Sequence, residues 1–158
     1  FVNSFGENFY HNGLTMLVLA PLGATIGHCY PIFANFKGGK AVASFAGFAI
    51  ATSFLTFGLS LIAFLIVLKI TKHVSLSSIT GSLVAAVSAW VLYLIGTFAP
   101  NVNVNLMFWG FGQDVNWVVS SLEFAIVSTL IAIILIVRHK TNIKRLALHT
   151  ESKIKWMK

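Results

Sequence analysis

Lys37-Gly38-Gly39-Lys40 sets two adjacent glycines between two ammonium groups. Glycine lets backbone N–H groups turn toward an anion, and the lysines add charge. A helix opening at Ala41 aims further free N–H groups back at the turn, which makes a phosphate cradle the functional expectation. A plain loop with lysines at a membrane edge would also carry these four residues. Gly27-His28 and Pro31 lie just upstream, and a loop needing only charge has no use for them.

The second cluster is Arg138-His139-Lys140-Thr141-Asn142-Ile143-Lys144-Arg145-Leu146. At helical spacing His139 and Asn142 share a face, with Arg145 further round. An imidazole beside an amide and a guanidinium suits a phosphate or a hydroxyl nucleophile. The plainer alternative is a juxtamembrane basic helix meeting anionic headgroups, and for Lys153, Lys155 and Lys158 that reading is kept. Ser75, Ser77 and Ser78 follow the basic Lys69–His73 cluster, where a hydrogen bond to substrate is possible but helix capping is expected. Glu123 is placed roughly two turns into the last apolar span, as a snorkelling or helix-paired carboxylate. The single Cys29 excludes an intramolecular disulfide, and the five histidines form no HxxxH pair, so no metal site is expected.

These residues require an apolar scaffold. The chain is 57% hydrophobic and 9% charged, where a soluble domain carries about 25% charged residues. Eleven Lys and Arg face four Asp and Glu, for a net charge of +7. The basic residues stand at the ends of apolar runs, which fits membrane orientation and phosphate contact rather than nucleic acid. Apolar segments run from Leu14 through Ile26 toward Phe36, loosened at Gly27 and Pro31, then over Ala41–Leu68, Leu83–Ala99 and Trp117–Val137. Trp109, Trp117 and Tyr93 fit interfacial aromatics.

Ala41–Leu68 is uncharged for 28 residues, against the roughly 20 that one span needs. It reads as one tilted helix or as two short segments hinged near Thr52, Ser53 and Gly58. The hairpin puts all eleven basic residues on one side of the membrane, and the positive-inside rule favours it. Asn101–Asn116 then lies outside. The expected fold is all-α, a polytopic membrane helix bundle with about five membrane segments. It forms a single integral-membrane domain over 1–158, with a cytoplasmic basic helix or tail over 138–158. The chain opens on Phe1 without a signal-peptide pattern, and an N-terminal part is expected to be missing.

Taken together, the two polar clusters resemble known signatures. Gly27-His28-x-x-Pro31-x-Phe33-x-x-Phe36-Lys37-Gly38-Gly39-Lys40 resembles the second signature of the bacterial acyl-phosphate:glycerol-3-phosphate acyltransferases, the PlsY family. Arg138-His139-x-x-Asn142-Ile143-x-Arg145-Leu146, followed by Thr150-Glu151-x-Lys153-Ile154, resembles the third. The span pattern and Val74-Ser75-Leu76 agree over essentially the whole chain. The family usually has glycine where this chain has Ala41, and again where it has His149. Its first signature, a Ser/Gly/Asn/Pro-rich loop with a downstream Arg, is absent.

The resemblance implies transfer of a fatty acyl group from acyl phosphate to the sn-1 hydroxyl of glycerol 3-phosphate, without a cofactor. The products are lysophosphatidic acid and phosphate, in the first step of phospholipid synthesis. An acyl phosphate is already activated, so positioning and charge stabilisation suffice. On this reading the Gly38 and Gly39 N–H groups and Lys40 hold the donor phosphate. His139 and Asn142 bind a phosphate or orient the hydroxyl, with Ser75 adding a hydrogen bond. Lys37, His28, Arg145 and Glu151 complete the substrate-binding set. The implied setting is the bacterial inner membrane, with the site facing the cytoplasm among membrane lipids, and the soluble enzyme that makes acyl phosphate as a partner. The rival classes are a small membrane transporter or channel for an anionic solute and a non-catalytic scaffold. A transporter places polar groups near mid-bilayer, whereas this chain concentrates them at one face.

Overall fold

The computed structural model describes residues 19–99 and 121–154. Asn101–Asn116, Trp109, Trp117, Lys155 and Lys158 lie outside the described residues.

A first helix, α1, is described over 19–29. Pro31 ends it, since the residue before a proline is pushed out of helical geometry. A short 3-10 turn follows at Ile32–Ala34, and Asn35 and Phe36 adopt left-handed φ of 49° and 59°. The chain then runs through the glycine pair to Ala41, which is also left-handed at φ 64° and buried.

Helix α2 spans Val42–Thr52 and helix α3 spans Phe54–Thr71. Only Ser53 separates them, extended at φ −153° and ψ 106°, with its hydroxyl accepting the Thr56 N–H at 3.2 Å. A serine N-cap thus both ends α2 and starts α3. The long apolar run is a broken pair, as the charge count favoured. Its hinge is Ser53, while Gly58 lies inside α3.

Helix α4 spans Val74–Phe98, beginning well before the expected Leu83. Its Ser-rich opening is helical because Ser77 and Ser78 return their hydroxyls to the carbonyls of His73 and Val74, each at 2.9 Å. This back-bonding hides the hydroxyls from an apolar surround. It also corrects the capping expectation: His73 is the N-cap, and the serines stand in the turns that follow.

Helix α5 spans Leu122–Arg138 and helix α6 spans Lys140–Ala147, with a 59° bend between them at His139. Glu123 lies in the first turn of α5 and is exposed. It stands at the helix start, where the macrodipole favours a carboxylate, rather than two turns inside a span.

The protein is an all-helical membrane bundle. By length and composition α3 and α4 can each cross a membrane, the bent α5–α6 pair is a third candidate, and α2 is a shorter apolar helix. Helix α4 is central and touches α2, α3, α5 and α6. Its inner face is small, with Gly81, Ala85 and Ala89 buried. That lets α3 approach until Ser60 Oγ donates to the Gly81 carbonyl at 2.9 Å. Phe124, Ile131 and Leu135 of α5 fill the other side, and Phe48 of α2 meets Phe124 at 5.6 Å between ring centroids. The faces left exposed are apolar, as with Ile62, Leu65 and Ile66 on α3, which suits lipid.

Candidate functional site

One end of the bundle gathers the start of α2, the start of α4, the α5–α6 bend and the segment after α6. They enclose a cavity of about 390 Å³ whose polar lining includes Lys40, Ser75, His139, Asn142, Glu151 and Lys153. The α2–α3 hairpin makes this possible. It leaves the site at Val42 and returns the chain to Lys72, whose carbonyl accepts the Ile154 N–H at 2.9 Å.

His139 sits at the bend, buried, where it ends α5 and begins α6. Its Nδ1 lies 2.8 Å from the Leu135 carbonyl oxygen. A carbonyl only accepts, so Nδ1 carries the proton and Nε2 is the nitrogen left for chemistry. Burial lowers the imidazole pKa, the Leu135 bond raises it, the Lys40 charge lowers it and Glu151 raises it, with a net lowering. His139 is therefore neutral near pH 7, with a lone pair on Nε2.

Asn142 stands one turn further and is the buried residue of α6. Its Nδ2 donates to Glu151 Oε1 at 2.7 Å, and Ser75 Oγ donates to the same oxygen at 2.5 Å. Glu151 thereby ties the starts of α4 and α6 together. These two hydrogen bonds, helped by the charges of Arg145 and Lys40, outweigh burial and hold its carboxyl below the usual glutamate range. Glu151 Oε2 and Asn142 Oδ1 are buried without a partner among the described residues. Both are acceptors, and they suit a hydroxyl or ammonium donor.

A Schellman reversal delivers Glu151. The Thr150 N–H reaches the Arg145 carbonyl at 2.8 Å and the His149 N–H reaches the Leu146 carbonyl at 3.1 Å. The residue that turns left-handed is His149, at φ 55°. Ala41 and His149, the two sites where glycine was expected, are thus both in the conformation that favours glycine.

The glycine turn is built differently from expectation. The Gly39 N–H donates to the His28 carbonyl at 3.0 Å, so it is committed within the turn rather than offered to a phosphate. Both glycine carbonyls accept from Arg138: Nη2 reaches Gly38 O at 2.6 Å and Nε reaches Gly39 O at 2.9 Å. A Cβ at Gly38 would lie 2.2 Å from the His28 carbonyl oxygen, and one at Gly39 would lie 2.0 Å from His28 Nε2. Glycine is needed here for close approach. Of the expected residues, Lys40, Ser75, His139, Asn142 and Glu151 meet at the cavity. Gly38, Gly39, His28, Lys37 and Arg145 lie outside its lining, with His28, Lys37 and Arg145 exposed.

Sequence reasoning passed over Arg138 as a site residue, and it assigned Lys153 and Ser78 elsewhere although both line the cavity. Arg138 had a signal, its place directly before His139. The carbonyls it reaches are about a hundred positions away, which no local spacing reports.

Comparison with known proteins gives a consistent result. A family model described as glycerol-3-phosphate acyltransferase matches residues 2–149. Glycerol-3-phosphate acyltransferases of Staphylococcus aureus strains JH9 and Newman are each 36% identical over 151 residues, which is 96% of this chain and 59% of the relative. The chain therefore spans about three-fifths of the length of these curated relatives. Among solved structures, PlsY, an integral membrane glycerol 3-phosphate acyltransferase, aligns in its glycerol 3-phosphate form with TM-score 0.64 and 27% identity, over 84% of this chain and 54% of that one. Its lysophosphatidic acid form aligns with TM-score 0.62 and 28% identity, over 84% and 55%.

Proposed function

The chain belongs to the glycerol-3-phosphate acyltransferase family, and on that premise we propose that it moves a fatty acyl group from acyl phosphate to glycerol 3-phosphate, yielding lysophosphatidic acid and phosphate. The observation that carries the proposal is the meeting of Lys40, Ser75, His139, Asn142 and Glu151 in one cavity at one end of an apolar bundle. A phosphate-bearing substrate needs cations and hydrogen-bond groups, and an acyl tail needs an apolar wall beside them. PlsY, a relative of known structure, has forms named for glycerol 3-phosphate and lysophosphatidic acid.

In this mechanism Lys40 neutralises a substrate phosphate at the cavity edge. The free acceptors Asn142 Oδ1 and Glu151 Oε2 hold the second hydroxyl of glycerol 3-phosphate, so that the sn-1 hydroxyl donates to His139 Nε2 and is directed at the acyl carbon. The hydroxyl oxygen forms the new ester bond, the acyl–phosphate bond breaks, and phosphate leaves with the bonding pair. The hydroxyl proton passes to His139 Nε2, whose lone pair is preserved by burial and by the Nδ1 bond to Leu135. Between the two roles open for His139, this geometry supports the base rather than a phosphate donor. Glu151 fixes Ser75 and Asn142 through its other oxygen. The site faces the cytoplasm of a bacterial inner membrane, in keeping with the lysines and arginines that surround it. There a soluble enzyme making acyl phosphate can deliver the donor.

The test uses the full-length protein in liposomes with acyl phosphate and glycerol 3-phosphate. Stoichiometric phosphate and lysophosphatidic acid are expected, and neither should form without glycerol 3-phosphate. Solute flux without acyl transfer would instead establish the transporter reading.

A further inference from the structure

Arg138 lies outside the lining of the cavity, yet it joins the two sequence-distant halves of the site. Its guanidinium spans the Gly38 and Gly39 carbonyls at 2.6 and 2.9 Å and lies over the Tyr30 ring, 5.0 Å from the centroid. Tyr30 follows α1, the glycines precede α2, and Arg138 is the last residue of α5. Lys40 follows Gly39 and His139 follows Arg138, so the clamp is one residue from each functional side chain. A planar fork suits two carbonyls at once, where an ammonium is a single point charge. The Gly39 N–H bond to the His28 carbonyl completes the fixation from the opposite side.

We infer that Arg138 is a positioning residue: it locks the Gly38–Gly39 turn to the end of α5, so that Lys40 and His139 hold a fixed separation across the cavity. Both carbonyls are drawn to the guanidinium side, which leaves Lys40 to meet the anion on the other. The kinetic readout rests on the acyl-transfer proposal, while the structural one is independent of it.

The experiment compares the full-length wild type with Arg138→Lys and Arg138→Ala. Hydrogen exchange of the segment around Gly38–Lys40 is read against the α3–α4 segments. In both variants the turn should exchange at least about 10-fold faster, with α3–α4 unchanged, because the turn opens locally. Turnover should fall by about 100-fold, as expected for a misplaced catalytic group. Guanidinium ion added to Arg138→Ala should restore part of it, and the same concentration of ammonium should not. Unchanged exchange at the turn would overturn the inference. So would a uniform rise in exchange across the whole bundle in Arg138→Lys, or restoration by ammonium as good as by guanidinium. If the wild type transfers no acyl group, the functional proposal falls and the exchange comparison still decides the clamp.

Discussion

Glu151 Oε1 accepts from Asn142 Nδ2 at 2.7 Å although the two are nine positions apart with a reversed helix end between them. The same oxygen takes the Ser75 hydroxyl, so one carboxylate sets the spacing of two helices. Its pKa is held down chiefly by these two bonds. The unfolded chain therefore binds the proton first as pH falls. The stabilisation is complete above the ordinary glutamate range and is lost as pH drops through the lower folded value. Glu151→Gln keeps an oxygen for both donors but no charge. Its thermal midpoint should be lower than wild type near pH 7, and the gap should shrink toward about pH 3. A constant gap across that range would mean that the charge is not what matters.

Ala41 and His149, two of the left-handed residues, separate strain from packing. A non-glycine residue in this conformation costs roughly 1–2 kcal/mol. His149 is exposed, so His149→Gly relieves the strain and gives up little contact, and should stabilise by about 1 kcal/mol. Ala41 is fully buried. Ala41→Gly relieves similar strain but loses a buried methyl worth about 0.8 kcal/mol, and should come out near neutral. Thermal unfolding of the two variants in one detergent checks the ordering.

Much of this site was legible because its chemistry is local. His139 and Asn142 announce themselves by helical spacing, and Lys40 by the glycines beside it. The broken Ala41–Leu68 run was legible from charge placement, but composition alone did not choose Ser53 over Gly58, because the choice rests on a hydroxyl that caps a backbone N–H. The start of α4 was misread because serine looks polar in sequence, while in an apolar helix it bonds its own backbone. Arg138 and the commitment of the Gly39 N–H were not legible, since both depend on contacts between distant segments.

His139 gives a pH test of the base assignment. Its pKa is lowered first by burial, with the Lys40 charge adding to that effect. The active neutral form is present above the folded value and is lost as pH falls through it. The acid limb of kcat/KM should therefore lie below the ordinary imidazole range. Lys40→Met removes a repelling charge, so in its residual activity the limb should move up. A limb that stays in place would detach the profile from His139.

The two adjacent glycines should respond differently to the same added methyl. At Gly38 a Cβ would meet backbone and ring atoms: His28 O at 2.2 Å, Pro31 Cδ at 2.5 Å and Cys29 O at 2.6 Å. None can move without shifting the end of α1, so Gly38→Ala should distort the turn at a cost of about 1–3 kcal/mol and abolish most activity. At Gly39 the obstacle is the His28 imidazole, with Nε2 at 2.0 Å, and His28 is exposed and free to change rotamer. Gly39→Ala should be milder. His28→Ala should rescue Gly39→Ala and leave Gly38→Ala unrescued, because truncating the ring removes the first clash and none of the backbone contacts of the second. A double-mutant cycle on activity and thermal midpoint measures this as coupling between positions 28 and 39. Equal rescue of both glycine variants would show that the imidazole, rather than the backbone, defines the turn.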